Sequence, residues 1–400
     1  HRRNLISIPL GARLLVLLLG MTTPRRIAIV MSRLPRLIEP QAAWLGALRA
    51  ALRRIQRVGA TLVTADGTAG VEFIRRGAER LTIDVEVPPD IEENSVGADV
   101  DDDVPERDRR LMAAAEMVMV LGVRTNGCVH RLLRHNLESR RSVMLVDLPG
   151  LQSQAARDEL VALGATLWSP TPEEQEPLCK MAVASVDEFR TDGICEIVPV
   201  QADPEWVFLS HTTRSCPGPW PAQSPTEYFD ALLDDSPDAD HSALATLKRI
   251  ISLRLLRASS RLIRGGFPVV CLTQTPLADL PRRRQFRAHR TRWDFEPYGV
   301  CINREWLRER GARPVVYGDE ATWEQLGDAD RPFFQFVQRT DTDDQRHVVD
   351  WTVEQEWRHA GHLDLQALPA DSAYVFVPDF AAARVISQIS PWPVTLWPGG

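Results

Sequence analysis

Two glutamates near the C-terminus have a spacing at which carboxylates act together. Glu354 and Glu356 lie two positions apart in DWTVEQEWRH (350–359), so on a strand they point to the same side. Two carboxylates in one cleft raise the pKa of one of them, and the pair can bind ribose hydroxyls or stabilise a cationic transition state. The alternative is an exposed strand face on which the glutamates pair with Arg358.

Other polar side chains of this half stand where predicted strands begin or end. His211 ends the strand in LSHTTR, Thr273 ends PVVCLT after a Gly-Gly turn, and Tyr298 precedes GVCIN. Together with the two glutamates, His211 and Tyr298 are the candidate catalytic residues. The alternative for His211 is a structural histidine whose hydrogen bonds are satisfied within the fold.

Glycines and arginines of the N-terminal half occur in loops that follow apolar runs. Helix N-termini offer free N–H groups and the positive end of a dipole, glycine lets a ligand approach the backbone, and arginine adds charge-assisted bonds to an anion. The candidate ligand-binding residues are Ser32, Arg33, Gly67, Thr68, Ala69, Gly70, Glu72, Arg107, Gly122, Arg124, Asn126 and Gly127. The alternatives are tight turns for the glycines and an exposed helix-start charge for Arg107.

The elements that must position these loops alternate between strand and helix. RIAIVM, ATLVTA, MVMVLGV, SVMLV and ATLW are apolar throughout and are separated by amphipathic stretches. Strands of that kind are typical of a parallel sheet covered on both faces. The predicted fold class is α/β: a Rossmann-like doubly wound parallel sheet, followed by a mixed α+β domain. In such a sheet, ligands bind beyond the carboxyl ends of the strands.

The predicted domain organisation has two folded parts. Residues 1–20 are interpreted as an upstream or disordered segment, because their apolar run is too short to span a bilayer and no convincing cleavage site follows it. Residues 21–190 form the first domain and residues 195–400 the second.

Composition excludes several classes of protein. The chain has 400 residues and a formal net charge of −7, which argues against a protein that coats nucleic acid. Its six cysteines are spread singly, without the spacing of a zinc or redox motif, so no metal is expected. We therefore expect a cytoplasmic, reduced protein with no membrane partner.

The N-terminal pattern resembles the SLOG superfamily, which includes DprA and the LOG proteins. The likeness rests on MSR, then GATLVTADGTAGVE, then RDRRLMAAAEMVMVLG, and covers about residues 25–170. It implies a Rossmann-like fold that binds a nucleotide-derived ligand or, in one branch, single-stranded DNA. GVRTNG stands where LOG enzymes have a glycine-rich loop followed by a catalytic glutamate. His130-Arg131-Leu132 supplies none, which favours binding over phosphoribohydrolase catalysis.

The C-terminal half resembles two groups. PVVCLTQTPL, PYGVCINREWL and DWTVEQEWR are similar to AbiGi-type abortive-infection proteins and to uncharacterised bacterial domains. An early histidine, a central tyrosine and a late Glu-x-Glu also resemble the ADP-ribosyltransferases. That second resemblance implies that His211 bonds a ribose, Tyr298 stacks on nicotinamide, and Glu354 and Glu356 support attack on the nicotinamide ribose of NAD.

A basic run, PRRRQFRAHRTRWDF (281–295), interleaves six arginines with Phe286 and Trp293. Phosphate charge and base stacking could hold single-stranded nucleic acid there. The alternatives are a solvated loop and a phosphate clamp for a cofactor.

The sequence therefore leads to one main hypothesis and two alternatives. The main hypothesis is a bacterial defence or stress protein whose SLOG-like domain binds a nucleotide-derived small molecule and whose second domain is an ADP-ribosyltransferase-like effector that uses NAD. The first alternative is a non-enzymatic DprA-like nucleotide or single-stranded DNA binding protein. The second is a LOG-like phosphoribohydrolase. A homo-oligomer is compatible with each of them.

Overall fold

The computed structural model describes residues 24–35, 37–89, 104–179, 197–198, 206–287, 292–337 and 355–398. The chain divides into two compact units. The first comprises His1–Ala182 with Pro217–Asp240, and the second Val183–Cys216 with His241–Gly400. The sequence prediction placed the segment 217–240 in the second domain, whereas in the structure it packs within the first unit.

The first unit is built on a six-stranded parallel sheet with the order β3-β2-β1-β4-β5-β6. Its strands are β1 (Arg26–Met31), β2 (Thr61–Val63), β3 (Val85–Glu86), β4 (Met117–Gly122), β5 (Ser142–Val146) and β6 (Thr166–Trp168). Its helices are α1 (Ala43–Val58), α2 (Val71–Arg80), α3 (Glu106–Ala114), α4 (Cys128–Glu138), α5 (Gln154–Ala162), α6 (Pro172–Gln175) and α7 (Pro225–Leu233). The predicted Rossmann-like fold is confirmed, and β3 is a strand that the sequence did not predict.

Helices cover both faces of this sheet. Alternate side chains of the central strands face two apolar cores, one under α1, α2 and α7 and the other under α3, α4 and α5. This two-sided burial explains why the strands are apolar at every position. The amphipathic helix α1 ends at Gly59, whose φ of +67° suits the left-handed cap that glycine adopts readily.

The helix α7 belongs to the first unit because of both apolar packing and a buried arginine. Ser224 and Glu227 form a capping box at its start, and Tyr228 lies in the core beside α1. At its end, Arg49 of α1 is only 6% exposed and donates to the carbonyls of Leu233 (2.9 Å) and Leu232 (2.7 Å). A guanidinium on the last carbonyls of a helix satisfies groups that have no intrahelical partner. Burial lowers the pKa of Arg49 from its usual value.

The second unit contains a seven-stranded mixed sheet with the order β13-β16-β9-β7-β12-β18-β19. Its strands are β7 (Phe208–Thr212), β9 (Val269–Thr273), β12 (Gly299–Asn303), β13 (Arg313–Pro314), β16 (Glu356–Ala360), β18 (Ala373–Val377) and β19 (Val394–Leu396). Shorter strands are β8 (Leu255–Leu256), β10 (Phe286–Arg287), β11 (Arg292–Trp293), β14 (Val316–Gly318), β15 (Phe334–Phe336) and β17 (Leu363–Asp364). The helices are α8 (Ala243–Leu253), α9 (Leu280–Arg283), α10 (Arg304–Glu309), α11 (Glu320–Gln325) and α12 (Phe380–Ser387). The predicted mixed α+β architecture is confirmed.

Most neighbouring strands of this sheet are antiparallel, whereas β18 and β19 pair in parallel. One face packs on the main apolar core of the unit, which includes Leu209, Val300 and Val375. The other face bears Ser210, Cys301 and a smaller apolar cluster. In the part of the chain that the structure describes, no helix is long and apolar enough to cross a membrane.

We predict that Arg49→Met destabilises the first unit by about 2 kcal/mol, because the carbonyls at the end of α7 lose buried charge-assisted donors while the methionine keeps most of the side-chain volume. Urea unfolding followed by circular dichroism measures the change. Arg57→Met is the matched control on the same helix, since Arg57 is exposed and pairs with Glu174 at 2.9 Å; it should cost less than about 1 kcal/mol. Equal losses for the two variants would contradict the role given to Arg49.

Candidate functional site

The strand order of the first unit reverses between β1 and β4, and the loops after these two strands meet there. The backbone N–H of Ser32 donates to the Gly122 carbonyl (2.9 Å), and the backbone N–H of Arg124 donates to the Ser32 hydroxyl (3.0 Å). In an open α/β sheet, the point where the order reverses leaves a crevice beyond the carboxyl ends of the strands. Ser32 therefore joins the loop after β1 to the loop after β4 by two hydrogen bonds.

The third loop, 65–70, lies after β2, the neighbour of β1 in the sheet. Thr68 closes it, since its hydroxyl donates to the Ala65 carbonyl at 2.8 Å. A Cβ atom built on Gly67 would stand 3.3 Å from an Nη atom of Arg107, so the guanidinium of Arg107 lies against this loop. Arg107 therefore lies beside the loop, and its predicted contact with a ligand stays a prediction. Ala69 of the same loop is partly buried against the core under α1, α2 and α7.

Two glycines at this edge have no room for a side chain. A Cβ atom on Gly122 would lie 2.8 Å from the Leu151 carbonyl oxygen, a main-chain atom that cannot rotate away. Gly70 has a φ of +76°, and a Cβ there would meet the sulfur of Met31 at 2.8 Å. Close packing of backbone explains these glycines even without a ligand, as the tight-turn alternative states.

The helices that begin at this edge leave backbone donors uncapped. Gly70 precedes α2 and Gly127 precedes α4, and neither helix start receives a side-chain cap. Asn126, with a φ of +60°, turns the chain into α4, and Glu72 is exposed in the first turn of α2. The edge therefore presents the N-terminal ends of two helices, with the positive ends of their dipoles, to a ligand.

The charge at this edge is positive. Within the described ranges, the side chains of Arg33, Arg107 and Arg124 are exposed and make no ion pair. Asp66, a carboxylate in the same loop that would repel an anion, is bound instead by Arg75. The edge thus has the chemistry of a site for a phosphate-bearing ligand.

The second unit holds a cavity of about 300 Å³ where its sheet separates. Strands β7 and β9 are paired only at Ser210 and Thr273. Beyond that pair the side chain of His211 joins the strands, because its Nδ1 lies 2.9 Å from the Cys271 carbonyl. A carbonyl only accepts, so Nδ1 is the donor and Nε2 of the neutral ring is an acceptor.

His211 and Glu356, two of the predicted catalytic residues, both line this cavity. Tyr298 does not line it and packs against the main apolar core of the unit instead. Glu354 lies outside the described residues. Gln355 has a φ of +45°, and the strand β16 begins at Glu356, so the described strand contains one of the two glutamates.

Glu356 is held by a buried arginine two positions along its own strand. Arg358 is 1% exposed and binds both carboxylate oxygens, at 2.9 Å through Nε and 3.2 Å through Nη2. Its other N–H groups donate to the carbonyls of Pro332 (3.2 Å) and Phe334 (2.7 Å) and to the amide oxygen of Gln335 (2.7 Å). The alternative that Glu356 pairs with Arg358 is therefore confirmed, and the pair stands in a cavity wall rather than on an exposed face.

Further lining residues were not selected from the sequence. Arg214, Arg257, Arg261, Cys271 and Asp294 all line the cavity. Arg214 stands three positions after His211, and this proximity is the one local signal for it. The others are distant in sequence and are brought together by strand pairing.

Burial shifts the pKa values of two groups that line the cavity, His211 and Cys271. It lowers the pKa of His211 below its ordinary value, and Arg214 adds to the effect, so the ring is neutral at pH 7. The cavity walls, together with the charge of Glu356, raise the pKa of the Cys271 thiol to about 12. Cys271 is therefore a protonated thiol at neutral pH and not a thiolate nucleophile.

The described part of the basic run includes the antiparallel pair β10 and β11, and Arg284 and Arg287 have partners within the run. Arg287 pairs with Asp294 at 2.7 Å, and Arg284 lies 4.4 Å from the ring centre of Trp293 and donates to Phe295. Phe286 meets Trp293 edge-on at 5.5 Å. These contacts stabilise the hairpin, and binding of nucleic acid by the run stays a prediction. The described residues contain no cluster suited to a metal ion.

Comparisons with known proteins do not identify a family for this chain, so the fold is assigned from the strand topology. No family model matches the sequence, and no curated protein matches it. Among solved structures, DNA processing protein A from Streptococcus pneumoniae is 14% identical, with 36% of this chain and 58% of that one aligned and a TM-score of 0.28. This chain therefore spans less than two thirds of that protein.

Two further structures give similar figures. The molybdenum cofactor carrier protein of Chlamydomonas reinhardtii is 13% identical over 36% of this chain and 90% of that one, with a TM-score of 0.26. DNA processing protein A from Helicobacter pylori, which binds single-stranded DNA, is 16% identical over 36% and 75%, also with a TM-score of 0.26. At such scores the likeness adds no argument to the geometry above.

We predict that His211 titrates below its ordinary pKa of about 6.5, because the folded protein disfavours its charged form. Since the unfolded chain then binds more protons, the contribution of His211 to stability is present above pH 6.5 and is lost as the pH falls. Proton NMR of the imidazole resonances measures the midpoint, and His211→Asn identifies the signal by its loss. A midpoint at or above 6.5 would contradict the neutral ring.

Proposed function

We propose that the first unit is a SLOG-type domain that binds a nucleotide-derived ligand at the crevice between β1 and β4. The observation that carries this proposal is the joining of the loops after β1 and β4 through Ser32, at the point where the strand order reverses. Phosphate oxygens would lie at the positive N-terminal ends of α2 and α4 and accept hydrogen bonds from Arg33, Arg107 and Arg124.

The other parts of the ligand would meet the polar groups around these donors. Glu72, exposed in the first turn of α2, would accept from ribose hydroxyls or a base. The pairing of Asp66 with Arg75 removes an electrostatic objection to phosphate in this loop. A LOG-like phosphoribohydrolase is less well supported, because the first turn of α4 (Cys128, Val129 and His130) contains no carboxylate.

We test this site by titrating the full chain with AMP, ATP and ADP-ribose in a calorimeter. Arg124→Gln should weaken the affinity for the bound nucleotide about tenfold, the value of one charge-assisted hydrogen bond. Arg134→Gln is the matched control further along α4, where Arg134 pairs with Glu159 at 3.1 Å, and it should leave affinity unchanged. Absence of nucleotide binding, or equal affinities for the two variants, would refute the proposal.

A second function, proposed for the second unit, is ADP-ribosyltransferase-like cleavage of NAD by a bacterial defence or stress effector. It is favoured by one observation, that His211 and Glu356 line the same cavity. The bond between nicotinamide and the ribose C1′ would break with its electron pair leaving on nicotinamide, and an acceptor oxygen or water would bond to C1′ and release a proton. Glu356, whose carboxylate Arg358 fixes in position through both oxygens, would stabilise the cationic sugar.

Nicotinamide release by the full chain tests the transferase, with and without the nucleotides that bind the first unit. Glu356→Gln should reduce release at least a hundredfold, the usual scale for removing one transition-state contact, while keeping an acceptor for Arg358. Glu305→Gln, at an exposed position paired with Arg308, is the control. If the wild-type chain releases no nicotinamide under any of these conditions, the second unit is not such an enzyme. The non-enzymatic DprA-like alternative would then be preferred, and salt-dependent filter binding to single-stranded DNA would test it.

A further inference from the structure

The cavity of the second unit has more positive charge than its carboxylates can neutralise. Arg214, Arg257 and Arg261 all line it. The two lining carboxylates already have partners, since Arg358 binds Glu356 through both oxygens and Arg287 binds Asp294 at 2.7 Å. Neither carboxylate is therefore left to balance Arg257 or Arg261.

Arg257 and Arg261 have exposed side chains, and within the described ranges neither makes an ion pair. Their backbone is nevertheless fixed. Ser259, which lies between them, exchanges two main-chain bonds with Val269 (2.9 and 3.2 Å), and its hydroxyl accepts from the backbone N–H of Arg261 at 3.2 Å. The backbone hydrogen bonds therefore fix the positions from which Arg257 and Arg261 extend. Their exposed guanidinium groups can contact a ligand.

Backbone strain occurs in the same segment. Leu262 lines the cavity, is 60% exposed, and has a φ of +68°, in the left-handed region that a leucine rarely adopts. An exposed leucine gains little from burial there, so packing does not account for the strained turn. The turn does keep Arg261 and Leu262 at the cavity.

Besides the two carboxylates, which already have arginine partners, the cavity offers a third guanidinium and a histidine to a ligand. Arg214 is tied to the wall because it donates to the Asp294 carbonyl, and it brings a third guanidinium. His211 offers Nε2 as an acceptor, since Nδ1 donates to the Cys271 carbonyl. The cavity thus combines cationic forks for an anion with one acceptor for a hydroxyl group.

We propose that this cavity binds a phosphate-bearing small molecule, whose phosphate oxygens accept from Arg257, Arg261 and Arg214 and whose hydroxyl group donates to Nε2 of His211. Arginine forks match phosphate geometry and hold it by charge-assisted bonds. The volume of about 300 Å³ stands at the small end of ligand pockets, so a sugar phosphate or a diphosphate fits better than a polymer. The proposal needs binding alone and stands whether or not NAD is cleaved.

Calorimetric titration with inorganic pyrophosphate and with ribose 5-phosphate tests this site. All proteins in this test carry Arg124→Gln, which lowers the affinity of the proposed site in the first unit. Adding Arg257→Gln and Arg261→Gln together should reduce affinity for both probes at least tenfold. Adding Arg308→Gln, at an exposed arginine of α10 outside the cavity, should change nothing.

His211→Asn separates the two halves of the proposed site. This substitution should lower the affinity for ribose 5-phosphate severalfold and leave the affinity for pyrophosphate unchanged, because pyrophosphate has no ribose hydroxyl. Pyrophosphate affinity that survives the double arginine substitution would overturn the proposal, as would absence of binding by either probe. Phosphate binding without nicotinamide release would refute the transferase and leave this site standing.

Discussion

The guanidinium of Arg358 constrains the second unit, because it is buried and all five of its N–H donors have acceptors. A buried charge without partners would cost several kcal/mol, so the strand β16, the carbonyls that precede β15 and the carboxylate of Glu356 must keep their relative positions. The cavity wall is therefore stiff on this side. The carboxylate of Glu356 thus has a fixed position from which it can stabilise a positive charge in the cavity.

In the first unit, a buried arginine joins two segments that are separate in the sequence, and this contact explains why 217–240 belongs to the unit. Arg49 donates to carbonyls at the end of α7, which lies far from it in sequence. Around that contact, Arg76 and Arg80 of α2 form ion pairs with Asp230 and Asp234 at 2.6 Å. The segment 217–240 therefore packs against α1 and α2 of the first unit through buried main-chain acceptors and ion pairs as well as apolar contacts. A domain boundary drawn from the order of predicted strands does not detect such a return.

Much of the candidate edge in the first unit could be predicted from local pattern. Ser32 and Gly122 each follow an apolar run directly, and parallel strands bring their carboxyl ends to one edge. In the second unit, His211, Tyr298 and Glu356 were grouped through the resemblance to ADP-ribosyltransferases, and the structure brings His211 and Glu356 to one cavity while Tyr298 lies outside it. All three stand at strand ends, yet the side that each faces depends on its pairing partners, and Tyr298 packs on the apolar core. The cationic side of the cavity was missed, since Arg257 and Arg261 stand outside any motif.

By itself, the sequence determined the elements and the architecture of the parallel sheet, because strands buried on both faces must be apolar throughout and glycine must stand where the backbone turns or packs closely. Tertiary structure alone decided that α7 joins the first unit, that β7 and β9 separate after one pair, and that three arginines meet at the resulting cavity. Those outcomes depend on strand register and on hydrogen bonds between segments that are tens of residues apart. The spacing of residues along the chain does not predict either of them.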